Sequence, residues 1–565
     1  MRHLVRRVAA PVIAALVVAL VAEGAVARAA DHPVCGGAVA SAAPAATEAG
    51  IAILRAGGNA ADAAVAVALA LAVVHPAAGN LGGGGLAVAR FGGELAALDF
   101  RETAPAAASA DMYLDADRNP VAERSQIGPL AAGVPGSPAG LRELQRRFGR
   151  LPWPSVVAPA QRLAAAGFIV TERLHNEIVR ERALLARFPE TAAVWLPHGV
   201  PPAVGTRMKV PRLAAVLKGY AARGPEALTG GRAAAAIVRA STRHGGILTS
   251  SDLAGYRPVW RAPVRAVCYG WEVETMPLPS SGGIILAQTM GVLEHLHWEQ
   301  LPRFGVERTH LLAEAWRRAY ADRFLLGDPS TSLAAPAQLL APAWIERQAG
   351  TIDRAHATPS RMVHRWPGAT EHPETTHLSD VDGDGNAVSL TTTLNGSFGC
   401  GLLVPELGIL LNNEMDDFAA APGRPNLYGL VQGPANAIAP GKRMLSSMTP
   451  TIAWRGGDTL VLGSPGGSHI PTAVIQVVLN VVVDGDDLRT AVARARVHHQ
   501  WLPDELAAEA DALTPEVRRA LEGRGHTVRV PVRLGEVHAV LRHADGHCEA
   551  AADARGPGAG AVVEH

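Results

Sequence analysis

The sequence predicts an α+β fold, and two observations support this prediction. Helical patterns dominate residues 138–345, which indicates a helical layer. Short segments that alternate apolar and polar residues, typical of strands, follow residue 375 and recur at 527–540. Between the two parts, residues 352–374 contain three prolines and no apolar period, which predicts an exposed connection.

Individual helices can be placed from their end signals. Two are expected within residues 41–74, separated by a glycine pair, with Asn59 capping the second and Asp62 completing an acidic capping pair. The second is apolar but too short to span a membrane, so it should be a buried core helix. Ser137 is the expected N-cap of the later helical region, and a long apolar helix is expected at 469–483.

Residues 79–85, Gly-Asn-Leu-Gly-Gly-Gly-Gly, cannot form a helix. They lack the GxGxxG spacing and the downstream acidic residue of a dinucleotide-binding loop. Glycines next to a strand more often allow a close approach of two backbones. We therefore predict close backbone packing here and no nucleotide site.

The composition excludes some classes of partner. Of the 565 residues, 48% are apolar and 18% are charged, which is ordinary for a globular protein. Basic and acidic residues both number 52, so the formal net charge is zero. Because such a chain has no global field to attract nucleic acid or anionic membranes, a small or neutral partner is expected.

The first thirty residues have the features of a secretory signal. Arg2, Arg6 and Arg7 precede an uncharged stretch at 8–22, and small residues at 25–29 offer cleavage sites. We therefore predict a signal peptide over residues 1–29, a periplasmic or secreted location, and no membrane association after its removal. The stretch is shorter than the roughly 18 residues that cross a bilayer, which disfavours an uncleaved anchor.

Four cysteines, Cys35, Cys268, Cys400 and Cys548, are widely spaced and form no CxxC or CxxCH pattern. No metal, haem or other cofactor is therefore expected. In an exported protein they could pair, and three connectivities remain open. Buried thiols are an equally good interpretation, because a chain of this length does not need disulfides for stability.

A hairpin is predicted around Asp384, where Asp-Gly-Asp-Gly-Asn is a turn signal between two alternating segments. With the turn centred on Asp384, Thr375 and Thr393 lie opposite one another. Because side chains alternate along a strand, Thr391, Thr393 and Asn395 share one polar face. From this pattern alone, an ordinary cross-strand threonine pair is the simplest interpretation.

The same segment partly matches a calcium-binding loop. Its aspartates at 380, 382 and 384 and its Gly385 occupy loop positions 1, 3, 5 and 6, but Thr391 stands where a bidentate glutamate is needed. Strands rather than helices are also expected on both sides. The turn explains these residues without a metal, so no calcium is expected.

Distinctive motifs are distributed along the chain at 57–85, 100–105 (Phe-Arg-Glu-Thr-Ala-Pro), 279–283 (Pro-Ser-Ser-Gly-Gly), 374–379 (Glu-Thr-Thr-His-Leu-Ser), 394–395, 410–418, 445–447 (Leu-Ser-Ser) and 500–504 (Gln-Trp-Leu-Pro-Asp). Their content, order and spacing resemble the gamma-glutamyltransferases (gamma-glutamyl transpeptidases). The resemblance spans essentially the whole mature chain, so chance agreement is negligible.

This resemblance implies an N-terminal-nucleophile hydrolase fold, an αββα sandwich with an extra helical layer in the large chain. Such a precursor cuts itself before a threonine, here between Glu374 and Thr375, into associated chains 30–374 and 375–565. A threonine hydroxyl needs a base, and the α-amine released by cleavage, with a reference pKa of about 7.7 to 8.0, can serve. The uncut precursor should therefore be inactive.

The resemblance also implies catalytic roles. Thr375 is the nucleophile, Thr393 hydrogen-bonds it, and the N–H groups of Gly466 and Gly467 bind the oxyanion. Without the resemblance, the turn containing these glycines would be interpreted as structural. Tyr428 belongs to a segment that resembles the lid loop of some family members, and a plain surface loop is the alternative.

Six residues are implied to bind the α-amino acid part of the substrate: Arg101, Ser446 and Ser447 the α-carboxylate, and Asn395, Glu414 and Asp417 the α-ammonium. A guanidinium can bind both oxygens of a carboxylate, and carboxylates suit a buried ammonium. The alternative for Arg101 is a surface ion pair with Glu102. Asp416 is expected to be structural.

We therefore expect an exported enzyme that moves the γ-glutamyl group of glutathione, or of a related compound, onto Thr375 and then to water or to an amino acid or peptide acceptor. A glutaryl-cephalosporin acylase on the same fold is the nearest alternative, but a glutaryl group has no ammonium for Asp417. A non-catalytic periplasmic binding protein is the alternative of another class, and the intact catalytic residues disfavour it.

Overall fold

The computed structural model describes residues 34–363, 375–424, 426–530 and 533–564. The predicted signal peptide and Glu374 lie outside these ranges. The strands are β1 Cys35–Ser41, β2 Gly84–Phe91, β3 Glu94–Phe100, β4 Phe168–Ile169, β5 Arg207–Met208, β6 Val259–Arg261, β7 Val264–Cys268, β8 Trp271–Thr275, β9 Thr376–Asp382, β10 Ala387–Thr393, β11 Leu403–Val404, β12 Ile409–Leu410, β13 Thr451–Arg455, β14 Asp458–Gly463, β15 Val497–His498, β16 Leu506–Ala508, β17 Val528–Arg529, β18 His538–Arg542, β19 Cys548–Ala552 and β20 Ala559–Glu564.

The helices are α1 Pro44–Arg55, α2 Ala60–Val74, α3 Ala122–Gln126, α4 Ser137–Phe148, α5 Trp153–Ala166, α6 Glu172–Arg180, α7 Arg182–Ala186, α8 Pro189–Trp195, α9 Pro211–Arg223, α10 Glu226–Thr229, α11 Gly231–Arg243, α12 Ser250–Gly255, α13 Gly282–His295, α14 Val306–Asp322, α15 Pro336–Leu339, α16 Pro342–Gly350, α17 Ser360–Val363, α18 Ile470–Val482, α19 Leu488–Ala493 and α20 Pro515–Gly523. Among the described residues, no helix combines the length and the apolar character needed to cross a membrane.

Two sheets form the centre of the fold. The first has seven strands in the order β20-β1-β9-β10-β2-β3-β6, and the second has six in the order β19-β18-β14-β13-β8-β7. Along β1, Val39 joins one hydrophobic core while Ala38 and Ala40 join the other, so the first sheet is buried on both faces. One face packs on α1, α2 and α4, and the other packs on the second sheet.

The second sheet is covered in turn by α13, α18 and α19, and α14 packs on α13. The layers therefore run helix, sheet, sheet, helix, which confirms the expected αββα sandwich. Side chains from α5 to α12 extend the core outside the first sheet. These helices are the additional helical layer expected in the large chain.

Helix α2 joins the hairpin to the core. Asn59 and Asp62 form the predicted capping box, and every residue of the helix except Val74 is buried. The Asp382 carboxylate, at the hairpin turn, accepts hydrogen bonds from the backbone N–H groups of Ala60 and Asn386, each at 3.0 Å. Asp382 thus caps helix α2 and closes the hairpin turn. These two structural roles explain why an aspartate stands at position 382 of the calcium-like pattern.

One local prediction is wrong. Ser137 is the first residue of α4 and not its N-cap, because the Gly136 carbonyl already accepts the first helical hydrogen bond, from Gly140 at 2.9 Å. The alternating stretch 527–540 contains short strands as expected, namely β17 and the start of β18. Gly535 lies between them with a φ of 73°, outside the range of extended backbone.

A disulfide joins Cys35 on β1 to Cys548 on β19, whereas Cys268 and Cys400 are buried thiols. Disulfide pairing therefore holds for Cys35 and Cys548, and the interpretation as buried thiols holds for Cys268 and Cys400. Strand β1 also lies between β9 and β20 in the first sheet. Parts of the two predicted chains are consequently held together by backbone hydrogen bonds and by a covalent bond.

The disulfide predicts how the cleaved protein should run on a denaturing gel. Cys35 belongs to the predicted large chain and Cys548 to the small chain, so the bond should link them after cleavage. We expect two bands with a reductant and one band at full mass without it. Cys548→Ser should give two bands under both conditions, and two bands from the unreduced wild type would contradict the pairing.

Candidate active site

Strands β9 and β10 form the predicted hairpin. Thr376 pairs with Thr392 and His377 with Thr391. The same register, continued by one residue, places Thr375 opposite Thr393 as the sequence predicted. Both threonines are buried. Thr375 directly precedes β9 and Thr393 is the last residue of β10, so they lie at the same end of the two strands.

A chain of buried hydrogen bonds fixes this register. The His377 ring lies between Thr391 Oγ1 at 2.8 Å and Ser379 Oγ at 2.9 Å, and Ser379 Oγ donates to the His538 carbonyl at 3.0 Å. Since Ser379 gives its proton to that carbonyl, it accepts from His377 Nε2, and Nδ1 accepts from Thr391. Burial lowers the pKa of His377 well below its usual value, so the ring is neutral.

The glycine run at 82–85 brings other backbone against the hairpin. A Cβ on Gly82 would lie 1.9 Å from the Leu410 carbonyl oxygen, and one on Gly83 would lie 2.1 Å from that of Thr393. Asn80 Nδ2 donates to the same Thr393 carbonyl at 3.1 Å. The run therefore permits the close backbone packing that the sequence predicted.

Thr375 lies in a pocket with about 270 Å³ of empty space. Ten residues singled out from the sequence line it: Arg101, Thr375, Thr393, Asn395, Glu414, Asp417, Tyr428, Ser446, Ser447 and Gly467. Leu430, Met448 and Ile470 complete the lining. Gly466 instead lines a neighbouring cleft, together with Thr375.

Arg101 is the central charge of this pocket. Its guanidinium donates to Glu414 and Asp417, and Glu102 lies 3.8 Å away. Burial disfavours the charged guanidinium, but these carboxylates outweigh it and raise the pKa of Arg101. The alternative of a surface ion pair with Glu102 is wrong, because both side chains are buried.

Burial disfavours the ionised form of the three carboxyl groups around Arg101. Burial raises the pKa of Glu414 and of Asp417, although Arg101 opposes both shifts. Burial also raises the pKa of Glu102 to about 8. Three buried carboxyl groups lie around Arg101, which makes the pocket well suited to an additional positive charge.

The paired serines lie on a rigid segment. The Ser446 carbonyl accepts from the N–H and from Oγ of Ser281, both at 2.9 Å, and Ser446 Oγ accepts from the Met448 N–H at 3.0 Å. Ser447 Oγ is buried and has no hydrogen-bond partner in the described part of the chain. A buried hydroxyl without a partner, in the wall of a pocket, suits a polar ligand.

Gly466 and Gly467 precede helix α18, and a single 3₁₀ turn, Gly467–His469, leads into it. Their φ angles, 129° and 54°, lie in the region that favours glycine. A Cβ on Gly467 would also lie 2.5 Å from the Tyr428 ring. The backbone N–H groups at this helix start are suited to bind an anion.

Tyr428 lines the pocket, and its segment makes hydrogen bonds to two other lining residues. The Tyr428 hydroxyl donates to the Asn395 carbonyl at 2.7 Å, and Asn426 Nδ2 donates to Asp417 Oδ1 at 3.1 Å. Tyr428 is buried, so this segment is not a plain surface loop. Asp416 points away, accepting from Ser125 Oγ at 2.5 Å and from the Leu427 N–H at 2.8 Å, which suits a structural role.

Sequence reasoning missed Arg323. It is buried and donates to Ser281 Oγ at 3.0 Å, and the charge of Asp417 favours its protonated form. Burial lowers its pKa to about 10. No local pattern distinguishes Arg323 from the other arginines of the helical region. The hydrogen bond from Asn80 to the Thr393 carbonyl was also missed, because Asn80 was considered only as part of the glycine run.

Two groups in the described part of the chain have the spacing of metal ligands: His310, Glu314 and His526, and His543, His547 and Glu549. Neither group lines the Thr375 pocket. In the first, Arg317 and Arg318 already bind the Glu314 carboxylate at 3.0 and 2.7 Å.

The αββα layers, with a threonine at the start of an inner strand, define the class of N-terminal-nucleophile hydrolase folds. The Gamma-glutamyltranspeptidase family model matches residues 46–563. The chain is 42% identical to the glutathione hydrolase proenzyme of Escherichia coli strain K12, over 93% of this chain and 91% of that protein. This protein therefore belongs to the gamma-glutamyltranspeptidase family and is an enzyme.

Acylases are also among its relatives. The Acylase ACY 1 proenzyme of Pseudomonas sp. strain V22 is 37% identical, over 91% of each chain. The crystal structure of a cephalosporin acylase from Bacillus halodurans matches with a TM-score of 0.82 and 25% identity, covering 94% of this chain and 97% of that chain. Relatives with this fold are thus named as two kinds of enzyme, glutathione hydrolases and acylases.

Proposed function

We propose that this chain is an exported, self-processing γ-glutamyltransferase and glutathione hydrolase. It cuts itself between Glu374 and Thr375, and Thr375 then carries the γ-glutamyl group as an ester. The observation that carries this proposal is the convergence of Thr375, Thr393, Arg101, Asp417 and the serine pair on one pocket. The E. coli relative named glutathione hydrolase proenzyme supports it.

The proposed chemistry has two steps. The released α-amine of Thr375 takes the proton of its own hydroxyl, and Oγ attacks the γ-carbonyl carbon of the substrate. The N–H groups of Gly466 and Gly467 stabilise the oxyanion, the amide C–N bond breaks, and the leaving amine receives the proton. Water or an amine then attacks the ester and restores the hydroxyl.

Substrate binding replaces an internal ion pair. Arg101 forms ion pairs with Glu414 and Asp417. A γ-glutamyl substrate brings a carboxylate for Arg101, Ser446 and Ser447 and an ammonium for Asn395 and the two acids. Both charges of the zwitterion thus find partners, and the buried carboxylates remain paired.

The acylase alternative is less well supported by this pocket. A glutaryl side chain has the terminal carboxylate but no ammonium, so Asp417 would gain no new partner. The similarity to a protein named Acylase ACY 1 proenzyme and to a cephalosporin acylase keeps an acylase as the alternative. The selectivity test is therefore the ratio of activities on γ-glutamyl and glutaryl substrates.

One assay tests the proposed function. Purified wild-type protein is incubated with glutathione, with and without a dipeptide acceptor, and both glutamate and γ-glutamyl-peptide are measured. We expect glutamate without the acceptor and transfer product with it. Release of a glutaryl group from a glutaryl amide, without release of glutamate from glutathione, would favour the acylase.

Arg101→Lys should weaken substrate binding and leave processing intact. Lysine keeps the charge but loses the planar fork, so we expect KM for glutathione to rise about ten-fold, the scale of one lost charge-assisted hydrogen bond. Self-cleavage involves no bound substrate, so a reducing gel should show the wild-type extent of cutting. Unchanged KM with normal cutting would leave only Ser446 and Ser447 for the carboxylate.

A further inference from the structure

Two histidines and a glutamate lie together at the turn between β18 and β19. Arg542 pairs with Cys548 across these strands, and just beyond this pair the His543 N–H donates to the His547 carbonyl at 2.9 Å. Glu549 is two residues after His547 and therefore shares its face of the strand. The hairpin register thus brings both histidines and the glutamate to one side of the turn.

These three side chains contact one another. The His543 and His547 rings stack with their centroids 3.8 Å apart, and His543 Nε2 lies 2.8 Å from a carboxylate oxygen of Glu549. One possible ligand atom of each residue lies within 4.8 Å of the other two. The side chains are 23% to 32% exposed, so an ion can reach them from solvent.

We propose that His543, His547 and Glu549 bind a divalent transition-metal ion of the Zn²⁺ class. Two imidazoles and one carboxylate are ligands that Zn²⁺ prefers, and three protein ligands leave a further position to water. Mg²⁺ and Ca²⁺ prefer sites built from oxygen ligands and should bind weakly. The expectation from the cysteine pattern that no metal is bound does not extend to these histidines.

Asp545 orients one of the ligands. Its Oδ1 lies 2.5 Å from His547 Nδ1 and also accepts from the His547 backbone N–H at 3.1 Å. In the neutral ring, Nδ1 therefore carries the proton, and the lone pair that binds a metal is on Nε2. A carboxylate that holds the second ring nitrogen is the usual outer partner of a metal-binding histidine.

The charges around this turn favour a cation, unlike those around the other histidine group. In that group, two arginines already bind the glutamate. Here two carboxylates besides Glu549 contact the turn. Asp545 binds His547, and Asp458 accepts from the Ala544 N–H at 2.9 Å. Three carboxylates beside two imidazoles suit a divalent ion.

The strand that carries two of the ligands is fixed to the rest of the protein. Cys548 lies between His547 and Glu549, so its side chain points to the opposite face of β19, where it bonds to Cys35. A site on a rigid strand needs little ordering when the ion binds. Since these ligands do not line the Thr375 pocket, we assign the ion a structural role and no part in the proposed reaction.

Isothermal titration of Zn²⁺ into the purified protein, without a histidine tag and freed of metal by a chelator, tests the inference. We expect one Zn²⁺ per chain, with no competition from excess Mg²⁺. His543→Gln and His547→Gln should each weaken binding by at least about ten-fold, and Asp545→Asn by about ten-fold, through the orientation of the ring. Zn²⁺ should also raise the midpoint of thermal unfolding in the wild type but not in His547→Gln.

His356→Gln is the matched control. This exposed histidine also contacts a carboxylate, that of Asp353 at 3.3 Å, but it lies outside the proposed site. The control should bind Zn²⁺ like the wild type. A wild type without a stoichiometric site, equal displacement by Mg²⁺, or unchanged binding in both His543→Gln and His547→Gln would overturn the inference. Glutamate release from glutathione should be equal in all these proteins, so the outcome is independent of the proposed function.

Discussion

Thr375→Ala should remain one uncut chain and should lose γ-glutamyl hydrolysis and transfer by more than about 10⁴-fold. The hydroxyl is needed twice, first to attack the Glu374 carbonyl in an N-to-O acyl shift and then to attack the substrate. Alanine also leaves the α-amine locked in an amide, so no base is released. A reducing gel and a glutamate-release assay measure both losses.

The neighbouring Thr376 provides the matched control. It is buried, and its hydroxyl has no hydrogen-bond partner in the described part of the chain. Thr376→Val keeps the shape and should still cut, with the small chain beginning at Thr375 on N-terminal sequencing. A Thr375→Ala protein that still separates into two chains at this bond would refute the assignment of the nucleophile.

Asp417→Asn should lose about ten- to a hundred-fold in kcat/KM on γ-glutamyl substrates, because a lost charge-assisted hydrogen bond costs roughly 1.5 to 3 kcal/mol. Glutaryl substrates have no ammonium, so their relative rate should improve. Asparagine nearly preserves the shape of the side chain, and kcat/KM on the two substrate classes measures the change in selectivity.

Asp416→Asn separates selectivity from structural damage. Asp416 is also buried, but its carboxylate binds Ser125 and the Leu427 backbone and does not line the pocket. Any loss in this variant should be equal on both substrate classes. An equal loss on both in Asp417→Asn would remove that residue from the ammonium site.

The hairpin is the part of the site that the sequence alone determined. A turn signal and the two-residue period of a strand are local properties, so they are sufficient to place Thr375 opposite Thr393. The capping box at Asn59 and the burial of α2 were predicted for the same reason, because both follow from residues that are neighbours in the sequence. The boundary at Ser137 was wrong because the N-cap is Gly136, where a Cβ would lie 2.0 Å from the Phe100 carbonyl oxygen, and the sequence does not reveal this contact between distant segments.

The identities of the pocket residues came from a family resemblance, but only the tertiary structure decided how they interact. Arg101 follows β3, whereas Glu414 and Asp417 lie beyond β12, and the sequence contains no signal that they pair. The sequence also could not predict that Cys35 pairs with Cys548. Nor could it predict that Arg323 is buried and bonded to Ser281, which binds the Ser446 carbonyl. Local patterns depend on the backbone periods of helices and strands, whereas charge pairing and disulfide pairing depend on distances between segments that only packing brings together.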